Sequence, residues 1–261
     1  IEELAAGGVR EVTLLGQNVN SYNKDSDDCS FAQLLEKVDA VEGIVRVRFV
    51  TSHPKDLSAD LIGCFGRLPK LCEQIHLPFQ SGSTPILTLM NRGYTADEYL
   101  EKVRSLRRQC PGVAITADCI VGFPGETEGH FRETVALVEE VRFDGLFSFC
   151  YSPRPETRAA TLPNQVPREV ALERLARLQA VQKTITREKN RALEGSTVEV
   201  LVEGPSKGSS QEFTGRTRTN KIVNFEGSQE MVGSLVELEI VKGYANSLRG
   251  ARPTPKEAVP C

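Results

Sequence analysis

The period of the hydrophobic positions changes repeatedly along this chain. In residues 11–18, EVTLLGQN, the apolar residues Val12, Leu14 and Leu15 predict a buried strand, which then gives way to Gly16 and the amides of Gln17, Asn18 and, further on, Asn20. Residues 30–41 (SFAQLLEKVDAV) carry Phe31, Leu34, Leu35 and Val38 at helical spacing. Residues 43–52 return to period two, with Val45, Val47 and Phe49 set against Arg46 and Arg48. A short helix (57–65), a strand (72–83), a helix (95–110), a strand (112–123), a helix (127–141), a strand (145–153) and a long helix from about Arg168 to Leu193 complete the first part. Thr95 with Glu98 three residues on predicts a capped start for one helix, and Pro167 marks the start of the last. Alternating strands and helices predict a parallel sheet with covering helices, and the class is α/β.

After Gly195 the texture changes to short β-rich runs at 196–204, 212–219, 221–227 and 234–244, divided by the turn-rich stretch GPSKGSSQ. Their spacing predicts a small antiparallel barrel over 194–255, with a Pro-rich frayed tail at 256–261. The opening IEELAAGG reads as the end of a helix, so the chain is expected to be a fragment.

Each strand of the first part hands over to a polar, Gly- or Pro-rich segment: GQNVNSY, TSHP, PFQSGS, GFPGET and YSPRP. In a β/α barrel such strand ends form the active face. Gln17 and Asn18 then read as ligand-facing amides, although a Gly-Gln-Asn turn alone needs no ligand. GFPGET frees the backbone at Gly122 and Gly125 and can offer N–H groups to a ligand, or be a plain turn capped by Thr127. Gln80 and Ser81 are neutral donors and acceptors. His53 reads as loop-orienting or catalytic, and the face taken by Arg46 and Arg48 stays open.

Composition narrows the chemistry. The 261 residues carry a net charge of −3, so any nucleic-acid contact must be local. No apolar run approaches the roughly 20 residues of a membrane span. The seven cysteines (Cys29, Cys64, Cys72, Cys110, Cys119, Cys150 and Cys261) lack close metal-ligand spacing and are expected mainly in the core. No P-loop lysine, G-x-S-x-G or H-E-x-x-H motif occurs, and no carboxylate pair stands out. A site of amides and backbone donors suits a cofactor that carries its own chemistry.

The segments EVTLLGQNVNSY, RFVTSHPKDL, QIHLPFQSGS, LTLMNRGYT, DCIVGFPGET and CYSPRPETRAA, in this order, resemble the methylthiotransferase family of radical S-adenosylmethionine enzymes. GRTRTNKIVNFEG resembles the TRAM barrel of its tRNA branch. The resemblance implies an open, partial radical-SAM β/α barrel (1–193), truncated at its N-terminus, followed by an OB-like TRAM domain that binds RNA. It implies S-adenosylmethionine across the strand ends, with Gln17, Asn18, Gln80, Ser81, Gly122, Phe123, Pro124 and Tyr151 as cofactor-binding candidates. It also implies two 4Fe-4S clusters whose cysteine ligands this chain lacks, leaving it inactive alone and without metal ligands of its own. The implied reaction is methylthiolation at C2 of an N6-isopentenylated adenosine beside the anticodon. Sibling readings are a threonylcarbamoyl-adenosine in tRNA or a ribosomal-protein aspartate; a non-catalytic RNA-binding protein is the rival of another class. Implied partners are a tRNA anticodon loop and an electron donor; Arg216, Arg218 and Lys221 lie close together in the sequence and read either as a cationic patch for RNA phosphates or as solvated surface. A cytoplasmic monomer is expected. Glu156 stands where the family commonly has glycine, and a carboxylate there is expected to oppose a tight turn.

Overall fold

The structure is a computed structural model that describes residues 1–23, 28–50, 52–206 and 212–253. Thr51, Cys261, residues 207–211 of the GPSKGSSQ stretch and the whole 256–261 tail lie outside the described residues. The chain divides into two compact units, Ile1–Ile185 and Thr186–Cys261.

The first unit is built on five parallel strands in chain order. β1 (Glu11–Leu14) pairs with β2 (Arg46–Phe49), while β3 (Gln74–His76), β4 (Ala114–Val121) and β5 (Gly145–Cys150) form a second sheet. A parallel bridge from Val47 to Leu71 joins the two: the Val47 N–H donates to Lys70 O at 2.8 Å, and the Cys72 N–H donates to Val47 O at 2.9 Å. The helices are α1 (Glu2–Ala6), α2 (Phe31–Asp39), α3 (Ala59–Arg67), α4 (Thr84–Leu89), α5 (Ala96–Gln109), α6 (Glu128–Val141) and α7 (Arg168–Arg191). Parallel neighbours in sequence order, connected by helices, are the topology of an open β/α barrel.

Local chemistry explains the helix starts. Ser30 with Gln33 and Thr95 with Glu98 form reciprocal capping boxes on α2 and α5. At α6 the box is Thr127 with His130, the imidazole Nδ1 taking the part usually played by a carboxylate. Ala171, Arg174, Leu178, Gln182 and Ile185 make the buried stripe of α7. α4 is six residues long and begins beside Pro85, too short to leave a period in the sequence.

The strands are shorter than their patterns predict. β1 stops at Leu14, and Leu15, expected in the core, is 73% exposed. β2 resolves the open question about its arginines. Phe49 packs edge-on to Phe31 of α2 at 5.2 Å and lies 5.9 Å from Phe65 of α3, so Val47 and Phe49 face the helices. Arg46 and Arg48 therefore face the inner side, where both are buried. The Arg48 Nε donates to Glu11 Oε1 at 2.9 Å, and Arg46 lies 3.9 Å from Glu11 Oε2.

The second unit is a closed barrel of five strands, β6 (Thr197–Pro205), β7 (Glu212–Thr217), β8 (Ile222–Glu226), β9 (Leu235–Gly243) and β10 (Leu248–Ala251), in the order β10-β8-β7-β6-β9. Val200, Val202, Phe213, Val223, Phe225, Leu238, Ile240 and Leu248 fill it. The expected small barrel is antiparallel at β10–β9, β9–β6, β6–β7 and β7–β8, and β10 closes it by pairing parallel to β8. Gly215 is required at its position: a Cβ there would collide with the Leu201 carbonyl of the adjacent strand.

Candidate functional site

The loops that follow β1 to β5 gather the candidate residues at the C-terminal ends of the strands. After β1, Gln17 is exposed, whereas Asn18 turns inward and its Nδ2 donates to Asp56 Oδ2 at 2.6 Å. This bond ties the first loop to the second. The Asn18 Oδ1 and both side-chain polar atoms of Asn20 are buried without a hydrogen-bond partner among the described residues. Of the amides after the opening strand, Asn18 and Asn20 carry buried polar atoms without a partner among the described residues, which costs free energy, while Gln17 stays exposed.

In the second loop, His53 Nδ1 accepts the Lys55 N–H at 3.2 Å, and its ring meets Tyr94 edge-on at 5.7 Å. Burial pushes the Tyr94 hydroxyl up to about 12, and it donates to Phe79 O at 3.2 Å.

The third loop is locked. Gln80 has φ +66° and is nearly buried, and it extends the β3–β4 pairing through its own N–H to Asp118 O and its carbonyl to the Ile120 N–H, both 2.9 Å. Such a conformation is uncommon for a residue with a side chain. Gly82 must be glycine, because a Cβ would sit 2.5 Å from Thr134 Cα on α6. Ser81 is 1% exposed and its Oγ accepts the Ser83 N–H at 3.2 Å, with Thr134 Oγ1 at 3.4 Å. Its hydroxyl is engaged within the loop.

The fourth loop centres on a buried ion pair that sequence reading overlooked. Gly122 has φ +72°, and a Cβ would fall 2.6 Å from Ala171 Cβ on α7. The Gly122 N–H donates to Glu126 Oε1 at 2.9 Å. Arg174 NH1 donates to the same oxygen at 2.8 Å and to the Glu126 carbonyl at 3.0 Å. Burial pushes the Glu126 carboxyl above its usual range, opposed by the Gly122 N–H and by Arg174. Phe123 and Pro124 are buried, and Phe123 meets Tyr151, at the end of β5, edge-on at 5.1 Å. The Tyr151 hydroxyl is buried with no hydrogen-bond partner among the described residues.

Beyond Tyr151, Arg154-Pro155-Glu156-Thr157 forms a turn with the Thr157 N–H donating to Arg154 O at 3.3 Å and Glu156 at φ +65°. The tight turn that a carboxylate at this position puts in doubt does form, with proline second and a left-handed third residue. A side chain in that conformation costs about 1–2 kcal/mol. Glu156→Gly should therefore raise stability by about 1 kcal/mol, read as a higher urea midpoint at unchanged slope; an equal or lower midpoint would contradict the strain.

The inner face of the sheet holds a second set that sequence reading missed. His76 Nδ1 lies 3.0 Å from Thr116 Oγ1, and its Nε2 lies 3.5 Å from Asp118 Oδ2. Phe147 meets His76 edge-on at 6.0 Å. The usable signal was period-two polarity on adjacent strands, Gln74 and His76 on β3 and Thr116 and Asp118 on β4, with His76 paired to Thr116.

In the second unit, the three predicted cations sit on and around the β7–β8 hairpin. Arg216 Nε donates to Glu203 Oε1 at 2.9 Å, and its NH1 donates to Asn220 Oδ1 at 3.1 Å. Arg218 lies in the turn, closed by the Asn220 N–H to Thr217 O at 2.9 Å, and Lys221 Nζ donates to Asn190 Oδ1 at 2.9 Å.

Comparison with known proteins adds the family to this geometry. The profile of the radical SAM superfamily matches residues 1–138. The chain belongs to the radical SAM superfamily. The TRAM domain profile matches residues 191–251, within the second unit. Curated relatives named tRNA-2-methylthio-N(6)-dimethylallyladenosine synthase, from Syntrophobacter fumaroxidans and Geobacter metallireducens, are each 55% identical over 96% of this chain, covering 55% and 57% of their own lengths. This radical SAM chain thus spans about half the length of the curated relatives it matches. Among solved structures, coproporphyrinogen III oxidase (HemN) from Escherichia coli, described as a radical SAM enzyme, aligns over 72% of this chain and 50% of its own at 13% identity and TM-score 0.46.

Proposed function

We propose that this chain supplies the cofactor-binding barrel and the RNA-binding barrel of a tRNA methylthiotransferase that acts at C2 of N6-isopentenyladenosine beside the anticodon. The observation that carries the reading is the 55% identity, extending through both units, to synthases named for that nucleoside.

S-adenosylmethionine suits the mouth. Gly122, Phe123 and Pro124 would line the adenine together with Tyr151, whose buried hydroxyl lacks a partner among the described residues. Gln80 would lie near the ribose or amino-acid part, with Ser81 holding its loop, and Gln17 and Asn18 would face the cofactor from the first loop. When bound, S-adenosylmethionine supplies the hydrogen-abstracting radical and the methyl group. The chain's own residues bind it, orient it and shield it from water. An iron–sulfur cluster does not suit the residues present. Clusters need thiolates, and burial pushes the Cys64, Cys119 and Cys150 thiols up. Among the described residues no three His, Cys, Asp or Glu side chains converge to hold a metal. The two 4Fe-4S clusters would take their ligands from outside this chain, and an electron donor would serve them. No helix among the described residues is long and apolar enough to cross a membrane, and a cytoplasmic monomer is the proposed form.

The β7–β8 hairpin would grip the RNA. Removing a cation that neutralises one phosphate should flatten the slope of log K against log salt by about 0.9 or less. Arg216→Ala with Arg218→Ala should weaken tRNA binding and flatten that slope, as read by filter binding. An unchanged slope would contradict the assignment of these cations to RNA. Deleting the full-length gene and quantifying tRNA nucleosides by mass spectrometry tests the substrate. Loss of the methylthio group from the isopentenyl-linked form alone is expected; loss from the threonylcarbamoyl-linked form would refute it.

A further inference from the structure

β5 carries two phenylalanines where a parallel sheet should bury its residues. Leu146 and Cys150 pack against the helix-side core, so Phe147 and Phe149, alternating with them, lie on the inner face. They are 58% and 55% exposed. Parallel strands with covering helices normally leave no such apolar pair open to water. In register, Asp118 is the neighbour of Phe147, and Ile120 is the neighbour of Phe149. The Asp118 carboxylate is about one-third exposed, and its Oδ2 lies 3.5 Å from His76. Tyr151 continues the same alternation beyond the strand, its N–H donating to Val121 O at 2.8 Å.

The inner face therefore offers an acceptor immediately beside an apolar aromatic pair. We infer that Phe147 and Phe149 read the N6 substituent of the target purine, with Asp118 accepting the hydrogen of its N6–H. A purine bearing a branched hydrocarbon on N6 presents this combination: one N–H donor, with the apolar group attached to the same nitrogen. A purine bearing a carboxylated N6 substituent would bring a second negative charge against Asp118, which the pair does not offset. The inference rests on the proposed adenosine substrate. It adds the residues that distinguish one N6 substituent from another.

The two interactions have different signatures. The N6–H exists on modified and unmodified adenosine alike, whereas the hydrocarbon exists only on the first. Two anticodon stem–loop RNAs, identical except for an isopentenyl group on the adenosine beside the anticodon, serve as probes. Binding to full-length protein is read by fluorescence anisotropy, without turnover. Wild type should prefer the isopentenylated RNA by roughly tenfold or more, since several carbons leave water. Phe147→Ser with Phe149→Ser should abolish the preference and leave unmodified RNA bound as before. Phe147→Leu with Phe149→Leu, which keeps apolar surface, should retain most of it. Asp118→Ala should weaken both RNAs by the same factor. Both phenylalanines are largely exposed, so these variants should fold, and unchanged thermal unfolding checks this. A preference that survives the serine substitutions would overturn the inference while leaving the substrate reading intact. Equal weakening of both RNAs by the serine pair would also overturn it, because the pair would then pack against another part of the protein. A wild type with no preference would instead count against the proposed substrate itself.

Discussion

Replacing Arg174 by leucine should destabilise the first unit by about 3–5 kcal/mol, the usual cost of removing one partner from a buried ion pair. Arg174 and Glu126 are 6% and 5% exposed, and the guanidinium donates to both the carboxylate and the carbonyl of Glu126. Without it, the carboxylate keeps the Gly122 N–H as a donor. The loss should depend on pH. Burial already holds the Glu126 carboxyl above its ordinary range, and Arg174 is one of the groups opposing that rise. Removing Arg174 raises it further. A carboxyl whose folded pKa is raised binds more protons folded than unfolded, so its contribution favours folding at low pH and is lost as pH rises through the folded pKa. The difference between wild type and Arg174→Leu should therefore be smaller near pH 5 than near pH 8 in urea unfolding. Glu126→Gln added to Arg174→Leu should recover much of the stability at pH 8. A deficit below about 1 kcal/mol, against the expected cost, or one independent of pH, would show that the pair does not hold this loop.

The second large effect concerns Gly122. Alanine there must adopt φ +72° and place its Cβ 2.6 Å from the Ala171 Cβ. The conformation costs about 1–2 kcal/mol, and overpacking costs about 1–3 kcal/mol more. Gly122→Ala in the full-length protein should lose stability on that scale and bind S-adenosylmethionine at least tenfold more weakly, because the loop would move away from Tyr151. Ala171→Gly on the same chain should recover the packing part of the stability and not the conformational part. Calorimetry on the single and double variants reads both quantities. Unchanged cofactor affinity in Gly122→Ala would remove this loop from the cofactor site.

Much of the first unit is legible in the sequence because its punctuation is chemical. Thr95 and Thr127 announce helix starts through side-chain oxygens, and Gly122, Gly125 and Pro124 announce a turn through backbone restriction. What escapes reading has equally physical reasons. β10 is four residues, Leu-Arg-Gly-Ala, and its pairing is long-range. No glycine or proline interrupts α7, so the boundary between the two units, inside that helix, leaves no local mark. Arg46 and Arg48 alternate with apolar residues as a solvent-facing strand would, yet both are buried because the inner face of a barrel is interior too. Phe147 and Phe149 fail in the opposite sense: sequence assigns phenylalanine to the core, and these two are exposed. At the site, the amides at the strand ends are visible as residue types. Their partners are not, since Asn18 meets Asp56 and Gly122 meets Glu126 and, through it, Arg174 only after folding.

The two units are proposed to serve a transferase that works on an isopentenylated adenosine, and one reaction decides whether they do. Full-length, cluster-reconstituted protein is incubated anaerobically with S-adenosylmethionine, a sulfide source, a reductant and two tRNA preparations, one carrying the isopentenyl group and one lacking it. The digested nucleosides are then read by mass spectrometry. The expected product is a 2-methylthio adduct on the isopentenylated adenosine, with none on the unmodified tRNA. Absence of the adduct on the isopentenylated tRNA, with S-adenosylmethionine cleavage intact, would contradict the proposal.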